Sequence, residues 1–141
     1  MIESFQSIKE IFVYVDGASR GNPGPAGAGV WIIDADGHCL SKRAEFLGVT
    51  TNNVAEYQAL LVGLKEAIKL SPARLSVYMD SELVVKQVRG EYRVRSKDLL
   101  PLYTQVKKIM QRFSSVSLQY IPRKKNREAD RLANHAIDKN E

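Results

Sequence analysis

The order of strand-like and helix-like segments is the feature that most constrains the fold of this 141-residue chain. Three strand-like runs come first, at Ile11–Gly17, Val30–Ile33 and His38–Val49, and a hairpin turn at Asp34–Gly37 joins the last two. After them helices alternate with strands, which is typical of parallel pairing through right-handed crossovers. The sequence therefore predicts an α/β fold with a five-stranded mixed sheet, in which three antiparallel strands are extended by parallel strands and helices lie on both faces.

The later segments complete this pattern within one domain. They are a helix at Asn53–Leu70, a strand at Leu75–Met79, a short helix from Ser81, a helix at Leu99–Phe113, a strand at Val116–Ile121 and a helix at Asn126–Asp138. The glycine- and proline-rich stretch Gly21–Gly27 is predicted to be turn throughout. We expect a single domain over residues 1–141 with a core from about residue 10 to residue 138.

Four acidic residues stand where predicted strands meet the segments that follow them. Asp16 closes the first strand, Asp80 closes the fourth, Glu56 opens the long helix, and Asp130 lies early in the last helix. Because the carboxyl ends of parallel strands meet at one edge of a sheet, we expect the four carboxylates to converge there. Converging carboxylates need cations to neutralise them, so the sequence predicts a divalent-metal site.

Each of these acids also has a purely structural explanation. Asp-Gly is common in turns, Asp80 with Ser81 fits a helix N-cap, and Asp130 suits the positive end of a helix dipole. Glu56 fits a capping box with Asn53. At 100° per residue, however, Glu56 falls on the core-facing side of its helix, where a carboxylate is costly without a partner. Four acids at one edge therefore favour the metal site over coincidence.

Composition limits the class of protein further. The net charge of +5 favours a polyanionic partner, and basic residues gather at 89–97 and 123–127, although a solvated surface explains such runs as well. A single cysteine, Cys39, rules out an internal disulfide. No apolar stretch approaches the length of a membrane span and the first residues lack a signal-peptide layout. We therefore expect a cytoplasmic protein with no membrane association.

Four motifs together resemble type 1 ribonuclease H, in the form that lacks the basic protrusion. They are Tyr14–Gly24, Thr51–Glu56, Met79–Ser81 and Asn126–Ala133, in the family's order. The resemblance implies a metal-dependent endoribonuclease that hydrolyses the RNA strand of RNA–DNA hybrids and leaves 5′-phosphate and 3′-hydroxyl ends. It also implies two Mg²⁺ or Mn²⁺ ions, which suit oxygen ligands.

The resemblance assigns a role to each acid. Asp16 bridges the two ions, Asp130 binds the ion of the nucleophile, and Glu56 and Asp80 surround the other ion. The resemblance also implies six substrate contacts, which are Ser19, Asn22, Thr51, Asn52, Asn53 and Glu82. Thr51 would contact a DNA phosphate, and Glu82 stands where some relatives have Gln. Amides and hydroxyls suit a 2′-hydroxyl, which both donates and accepts hydrogen bonds. One of Asn52 and Asn53 is also expected to cap the helix.

Two departures from the family pattern affect the expected activity. The loop before Asp130 contains no histidine, and the residues that could assist there are Arg123, Lys124, Lys125 and Asn126. Of the two histidines of the chain, His135 is interpreted as structural and His38, in the hairpin turn, as inert. In place of the basic protrusion, a smaller basic surface is expected from Arg89, Tyr92, Arg93, Arg95 and Lys97. Weak hybrid binding with a steep salt dependence follows.

The expected partner is an RNA–DNA hybrid, with no obligate protein partner and a monomeric state. Two other interpretations remain open from the residues alone. The first is a non-catalytic module that binds hybrids, and the second is the same fold acting on double-stranded RNA, which also presents 2′-hydroxyls.

Overall fold

The computed structural model of the protein describes residues 9–140, so the predicted domain ends at residues 1 and 141 lie outside the described residues. Within that range the chain forms five strands, four helices and one 3₁₀ turn. In chain order they are β1 (Glu10–Ser19), β2 (Gly24–Asp34), β3 (Cys39–Thr50), α1 (Asn52–Ile68), β4 (Arg74–Met79), α2 (Glu82–Val88), α3 (Leu100–Met110), β5 (Val116–Tyr120), the 3₁₀ turn Arg123–Lys125 and α4 (Arg127–Lys139).

The five strands form one mixed sheet in the order β3-β2-β1-β4-β5. Strand β2 pairs antiparallel with β1 and with β3, whereas β4 pairs parallel with β1 and with β5. The predicted fold class, an antiparallel meander extended by parallel strands, is confirmed.

The parallel pairing between β1 and β4 ends before their acidic residues. The last pair is Tyr14 with Tyr78, so Asp16 and Asp80 each follow it by two residues. Asp16 does not close β1, however: it pairs with Gly29, and β1 continues to Ser19. The predicted strand, which ends at Gly17, is too short because the antiparallel partner β2 extends further along β1 than β4 does.

Residues 24–27 belong to β2, so the prediction of a turn through Gly27 is also wrong. Gly27 pairs with Ala18 of β1 and Gly24 pairs with Thr50 of β3. Small residues occur here because α4 packs very closely on this strand. A Cβ atom on Gly29 would lie 2.0 Å from the carbonyl oxygen of Ala129.

Helices cover both faces of the sheet, as predicted. Helix α4 lies on the face that carries Gly29, and α1 lies on the opposite face, where a Cβ on Gly63 would meet the side chain of Val15 at 2.5 Å. The side of α1 predicted to face the core is buried, including Leu60 and Leu64. Helices α1 and α4 thus pack on opposite faces of the part of the sheet where β1 and β4 stop pairing.

The connection from β4 to α3 contains one short helix, α2, as the sequence predicts for a chain without the basic protrusion. The residues between α2 and α3 have no regular structure and most are exposed. In the described part of the chain, no helix is long and apolar enough to cross a membrane.

Candidate active site

Asp16 is held in the sheet beside the first turn of α1. Only 5% of the surface of Asp16 is exposed to solvent. The next residue, Gly17, donates its backbone N–H to Glu56 Oε1 at 2.8 Å. A Cβ on Gly17 would lie 2.3 Å from the backbone carbonyl of Ala55, so only glycine lets β1 approach α1 this closely. This contact brings the carboxylates of Asp16 and Glu56 together.

Glu56 is free of the capping role that its spacing suggested. The N-cap of α1 is Thr51, whose Oγ1 accepts the N–H of Val54 at 3.4 Å. The expectation that Asn52 or Asn53 caps the helix is therefore wrong. Thr51 has the extended backbone that an N-cap requires (φ −83°, ψ 163°), and the helix already includes Asn52. Glu56 accepts from Gly17 and points to the sheet edge.

Asp80 follows β4, and its neighbour takes the capping role. Ser81 Oγ accepts the N–H of Val84 at 3.3 Å and caps α2. Asp80 Oδ2 is buried and has no hydrogen-bond partner among the described residues. A buried carboxylate oxygen without a donor is costly, which indicates that a ligand normally meets it.

Asp130 lies in the first turn of α4, and a buried amide fixes where that helix begins. Asn126 Nδ2 donates to the carbonyl oxygen of Val15 at 2.8 Å, one residue before Asp16. Asp130 Oδ1 lies 3.6 Å from Arg123 Nη2 and accepts from Asn134 Nδ2 at 3.2 Å. Helix α4 therefore delivers this carboxylate from the opposite face of the sheet to Glu56.

Three of the four acids form one compact group. Asp16, Glu56 and Asp80 offer carboxylate oxygens that all lie within 4.8 Å of one another. Asp130 is not part of this group, although it lines the same cavity of about 380 Å³. The convergence predicted from the strand ends thus holds for three acids at close range, with the fourth beside them.

The electrostatics of the group favour protonated carboxyls in the absence of a cation. Burial, followed by the negative charges of Glu56 and Asp80, raises the pKa of Asp16 to about 10. Burial also raises the pKa of Glu56 to about 8, against the opposing hydrogen bond from Gly17. The pKa of Asp80 is raised too, again chiefly by burial. Each shift has the same origin, which is negative charge with little water to solvate it.

These residues fit a divalent cation. The donors are all carboxylate oxygens, the set that Mg²⁺ and Mn²⁺ prefer. A cation would remove the mutual repulsion that raises these pKa values, and it would supply a partner for Asp80 Oδ2.

The predicted substrate contacts divide into those at the cavity and those away from it. Ser19 and Asn52 line the cavity of the four acids. Ser19 Oγ donates to the carbonyl of Thr50 at 2.9 Å, and Asn22 Oδ1 accepts the N–H of Asn52 at 3.0 Å. The turn after β1 is thereby fastened to the start of α1, with Ser19 and Asn52 facing the same cavity.

The other predicted contacts lie outside this cavity. Thr51 and Lys97 line a neighbouring cleft. Asn53 is exposed on the first turn of α1. Glu82 is exposed and pairs with Lys86 at 3.2 Å. The roles assigned to these residues remain predictions.

The residues suggested to replace the missing loop histidine are also separated. Arg123 lines the cavity, whereas Lys124 and Lys125 are exposed and do not. Asn126 is buried and ties α4 to β1. His135 is exposed on α4. Arg123 is therefore the basic residue of this group that lines the cavity, and its Nη2 lies 3.6 Å from Asp130 Oδ1.

The exposed connection from α2 to α3 carries the predicted basic surface. Arg89 pairs with Glu91 at 3.1 Å, whereas Arg93, Arg95 and Lys97 make no ion pair within residues 9–140. Tyr92 packs under Lys86, whose Nζ lies 5.1 Å from the ring centroid.

Sequence analysis missed two residues with polar side chains that line the cavity, Arg20 and Asn134. The spacing of Asn134, four residues after Asp130 on one helix, is a signal that could have found it. Arg20 has no comparable signal, because it reaches Asn134 across 114 positions of the chain.

The sheet order and the position of the acid group define a ribonuclease H-like fold. The family described as "Reverse transcriptase-like" matches residues 14–136. Among solved structures, the N-terminal RNase H domain of Rv2228c from Mycobacterium tuberculosis is 44% identical with a TM-score of 0.88, covering 92% of this chain and 99% of that one. RNase H1 from Halobacterium salinarum is 36% identical with a TM-score of 0.89, covering 92% and 98%.

A third structure, LC11-RNase H1 in complex with an RNA/DNA hybrid, is 42% identical with a TM-score of 0.87 and covers 92% of this chain and 97% of that one. The chain belongs to the type 1 ribonuclease H family, which confirms the resemblance found in the sequence. It spans only part of its curated relatives: 36% of the bifunctional protein Rv2228c and 64% of the Halobacterium ribonuclease HI.

Proposed function

We propose that this chain is a metal-dependent endoribonuclease that hydrolyses the RNA strand of RNA–DNA hybrids and leaves 5′-phosphate and 3′-hydroxyl ends. In this proposal residues 1–141 act as one catalytic domain. The observation that carries it is the group of Asp16, Glu56 and Asp80, with oxygens within 4.8 Å and raised pKa values, in a cavity that also holds Ser19 and Asn52. A relative 42% identical to this chain has been solved with an RNA/DNA hybrid, which supports the substrate class.

The four acids would hold two Mg²⁺ or Mn²⁺ ions. Asp16, Glu56 and Asp80 would supply the close group of ligand oxygens, and Asp130 would supply a further one from the same cavity. Bound ions of this kind activate water, orient the phosphate and stabilise the leaving oxygen. Gly17 N–H restrains the Glu56 carboxylate, and the buried Asn126 fixes the helix that presents Asp130.

Discrimination between strands would come from groups around the acids. Ser19 and Asn52 line the cavity. The Ser19 oxygen, whose hydrogen goes to the Thr50 carbonyl, can accept from a 2′-hydroxyl, and the Asn52 amide can both donate and accept. Asn22 accepts the backbone N–H of Asn52, so it positions Asn52 and is itself a candidate contact to the hybrid. Arg93, Arg95 and Lys97 would hold phosphates of the hybrid outside the cavity.

The decisive experiment uses an end-labelled RNA–DNA hybrid with matched RNA–RNA and DNA–DNA duplexes, in Mg²⁺, in Mn²⁺ and in EDTA. The variants are Asp16→Asn and, as a matched control, Asp36→Asn in the exposed hairpin turn. We expect internal cuts in the RNA strand of the hybrid that require metal, disappear in Asp16→Asn and persist in Asp36→Asn.

Other outcomes separate the competing interpretations. Hybrid binding without cutting in any metal would contradict catalysis and favour a binding module. Cutting of the RNA–RNA duplex at a rate equal to that of the hybrid would contradict the substrate assignment. The cytoplasmic location and the monomeric state expected from the sequence stay predictions.

A further inference from the structure

Asn134 makes two contacts with Asp130 from one helical turn further along α4. Its Nδ2 donates to the Asp130 carbonyl oxygen at 3.0 Å and to Asp130 Oδ1 at 3.2 Å. An amide nitrogen carries two hydrogens, so one group serves both acceptors. The Asp130 side chain is thereby joined to the backbone of its own helix.

Arg20 fixes the orientation of this amide. Its Nη2 donates to Asn134 Oδ1 at 3.3 Å and to the Asn134 carbonyl at 3.4 Å, while its Nη1 pairs with Asp138 at 2.6 Å. A guanidinium only donates hydrogen bonds, so the oxygen of the Asn134 amide must face Arg20 and its nitrogen must face Asp130. With the amide reversed, the Asn134 NH₂ group would face the Arg20 guanidinium, two donors against each other, and the Asp130 carboxylate would lose its hydrogen bond from Asn134.

The result is that one oxygen of Asp130 is engaged by the protein. Oδ1 accepts from Asn134 and lies 3.6 Å from Arg123. Asp130 is also the acid that stands outside the compact group of three. Its orientation therefore depends on the Asn134 amide, which donates to no other acid of the site among the described residues.

We propose that Asn134 is a positioning residue for Asp130 and that Arg20 acts through Asn134 by fixing the orientation of its amide. The inference rests on the proposed metal-binding role of Asp130. It also links two parts of the site, because Arg20 lies in the turn between β1 and β2 that carries the predicted hybrid contacts Ser19 and Asn22.

The first test compares Asn134→Ala with Asn140→Ala. Asn140 is a matched control because its Nδ2 donates to the carbonyl four residues earlier on the same helix, at 2.9 Å, far from the acids in sequence. We expect kcat on an RNA–DNA hybrid to fall by about tenfold in Asn134→Ala with KM unchanged, as is usual when a partner that orients a metal ligand is lost. Asn140→Ala should behave as wild type.

A second readout does not depend on activity. Mn²⁺ binding to the protein without nucleic acid, measured by isothermal titration calorimetry, should weaken by about tenfold in Asn134→Ala and stay unchanged in Asn140→Ala. Asn134→Leu keeps the approximate shape of the side chain and should reproduce the loss, which guards against an effect of altered packing. Equal Mn²⁺ affinity in Asn134→Ala and wild type would overturn the proposal.

The role of Arg20 is tested by a double-mutant cycle. If Arg20 acts through Asn134, the double variant Arg20→Ala with Asn134→Ala should be no slower than Asn134→Ala alone. If the losses of kcat in the two single variants add up in the double variant, Arg20 does not act through Asn134. A higher KM with unchanged kcat in Arg20→Ala alone would instead identify Arg20 as a direct hybrid contact and overturn its assignment here.

Failure of the proposed function can be told apart from failure of this inference. If the wild-type protein cuts no hybrid, the nuclease proposal fails, but the Mn²⁺ comparison of Asn134→Ala with Asn140→Ala still decides whether Asn134 positions Asp130.

Discussion

The acid group predicts that the metal-free protein loses stability as pH rises through neutrality. The pKa of Asp16 is raised to about 10 in the folded state, first by burial and then by the charges of Glu56 and Asp80. In the unfolded chain an aspartic acid titrates near pH 4. Between these values the folded protein holds a proton that the unfolded chain has released, so the free energy of unfolding falls as pH rises. The stabilisation is complete at pH values below the pKa of the unfolded chain, and it is lost as the pH rises to the pKa of the folded protein.

The magnitude follows from the number of protons involved. One proton held only by the folded state corresponds to about 1.4 kcal/mol per pH unit. From pH 6 to pH 8 the Asp16 proton alone therefore predicts a loss of about 2.7 kcal/mol, and Glu56, with a pKa of about 8, adds to it. The lowered pKa values of Asp34 and Glu66 act only at acidic pH, where those groups change charge, so they leave this window unaffected.

The assay is urea unfolding followed by the fluorescence of Trp31 at pH 6, 7 and 8, first in EDTA and then in Mg²⁺. Asp16→Asn removes the titrating group, so it should flatten the pH slope in EDTA and lose most of the stabilisation by Mg²⁺. Asp36→Asn, in the exposed hairpin, should keep both properties of the wild type. A wild-type stability in EDTA that stays level or rises from pH 6 to pH 8 would refute the reasoning.

Two further predictions concern packing and salt dependence. Gly29→Ala places a Cβ 2.0 Å from the Ala129 carbonyl oxygen, so α4 must move away from the sheet. We expect a loss of about 3 kcal/mol in the free energy of unfolding, measured by urea unfolding. A nearly unchanged free energy of unfolding would contradict the close packing. Replacing Arg93, Arg95 and Lys97 by Gln should reduce the salt slope of hybrid binding by up to about 3, since each phosphate contact contributes about one. Fluorescence anisotropy between 50 and 200 mM salt measures this, and an unchanged slope would place the phosphate contacts elsewhere.

Much of the fold was predictable because its pattern is local. Three strands before the first helix, followed by alternating helices and strands, predicted a mixed sheet, and that fold class is confirmed, whereas the strand order comes from the structure. The boundaries were less predictable where two partners compete for one strand. Strand β1 runs past Asp16 because β2 pairs with it further than β4 does, and the glycines of β2 serve the close approach of α4 rather than a turn.

The candidate site divides in the same way. The acids could be found because each stands at a fixed place relative to its own strand or helix. The cap of α1 was assigned wrongly because Thr51, Asn52 and Asn53 all have suitable side chains, and only the backbone angles distinguish them. Arg20 and Asn134 were missed because their contact joins a turn near the start of the chain to its last helix.

The sequence by itself determined which residues carry negative charge to the place where β1 and β4 stop pairing, and which family the chain belongs to. Its motifs are short and their chemistry is local. Only the tertiary structure decided that Asp16, Glu56 and Asp80 form the compact group, and that Asp130 lies beside it with its carboxylate hydrogen-bonded by Asn134. That difference depends on a few ångströms between side chains from opposite faces of a sheet. The distances arise from the packing of Gly17 against α1 and of Gly29 against α4, and residue spacing along the chain does not encode them.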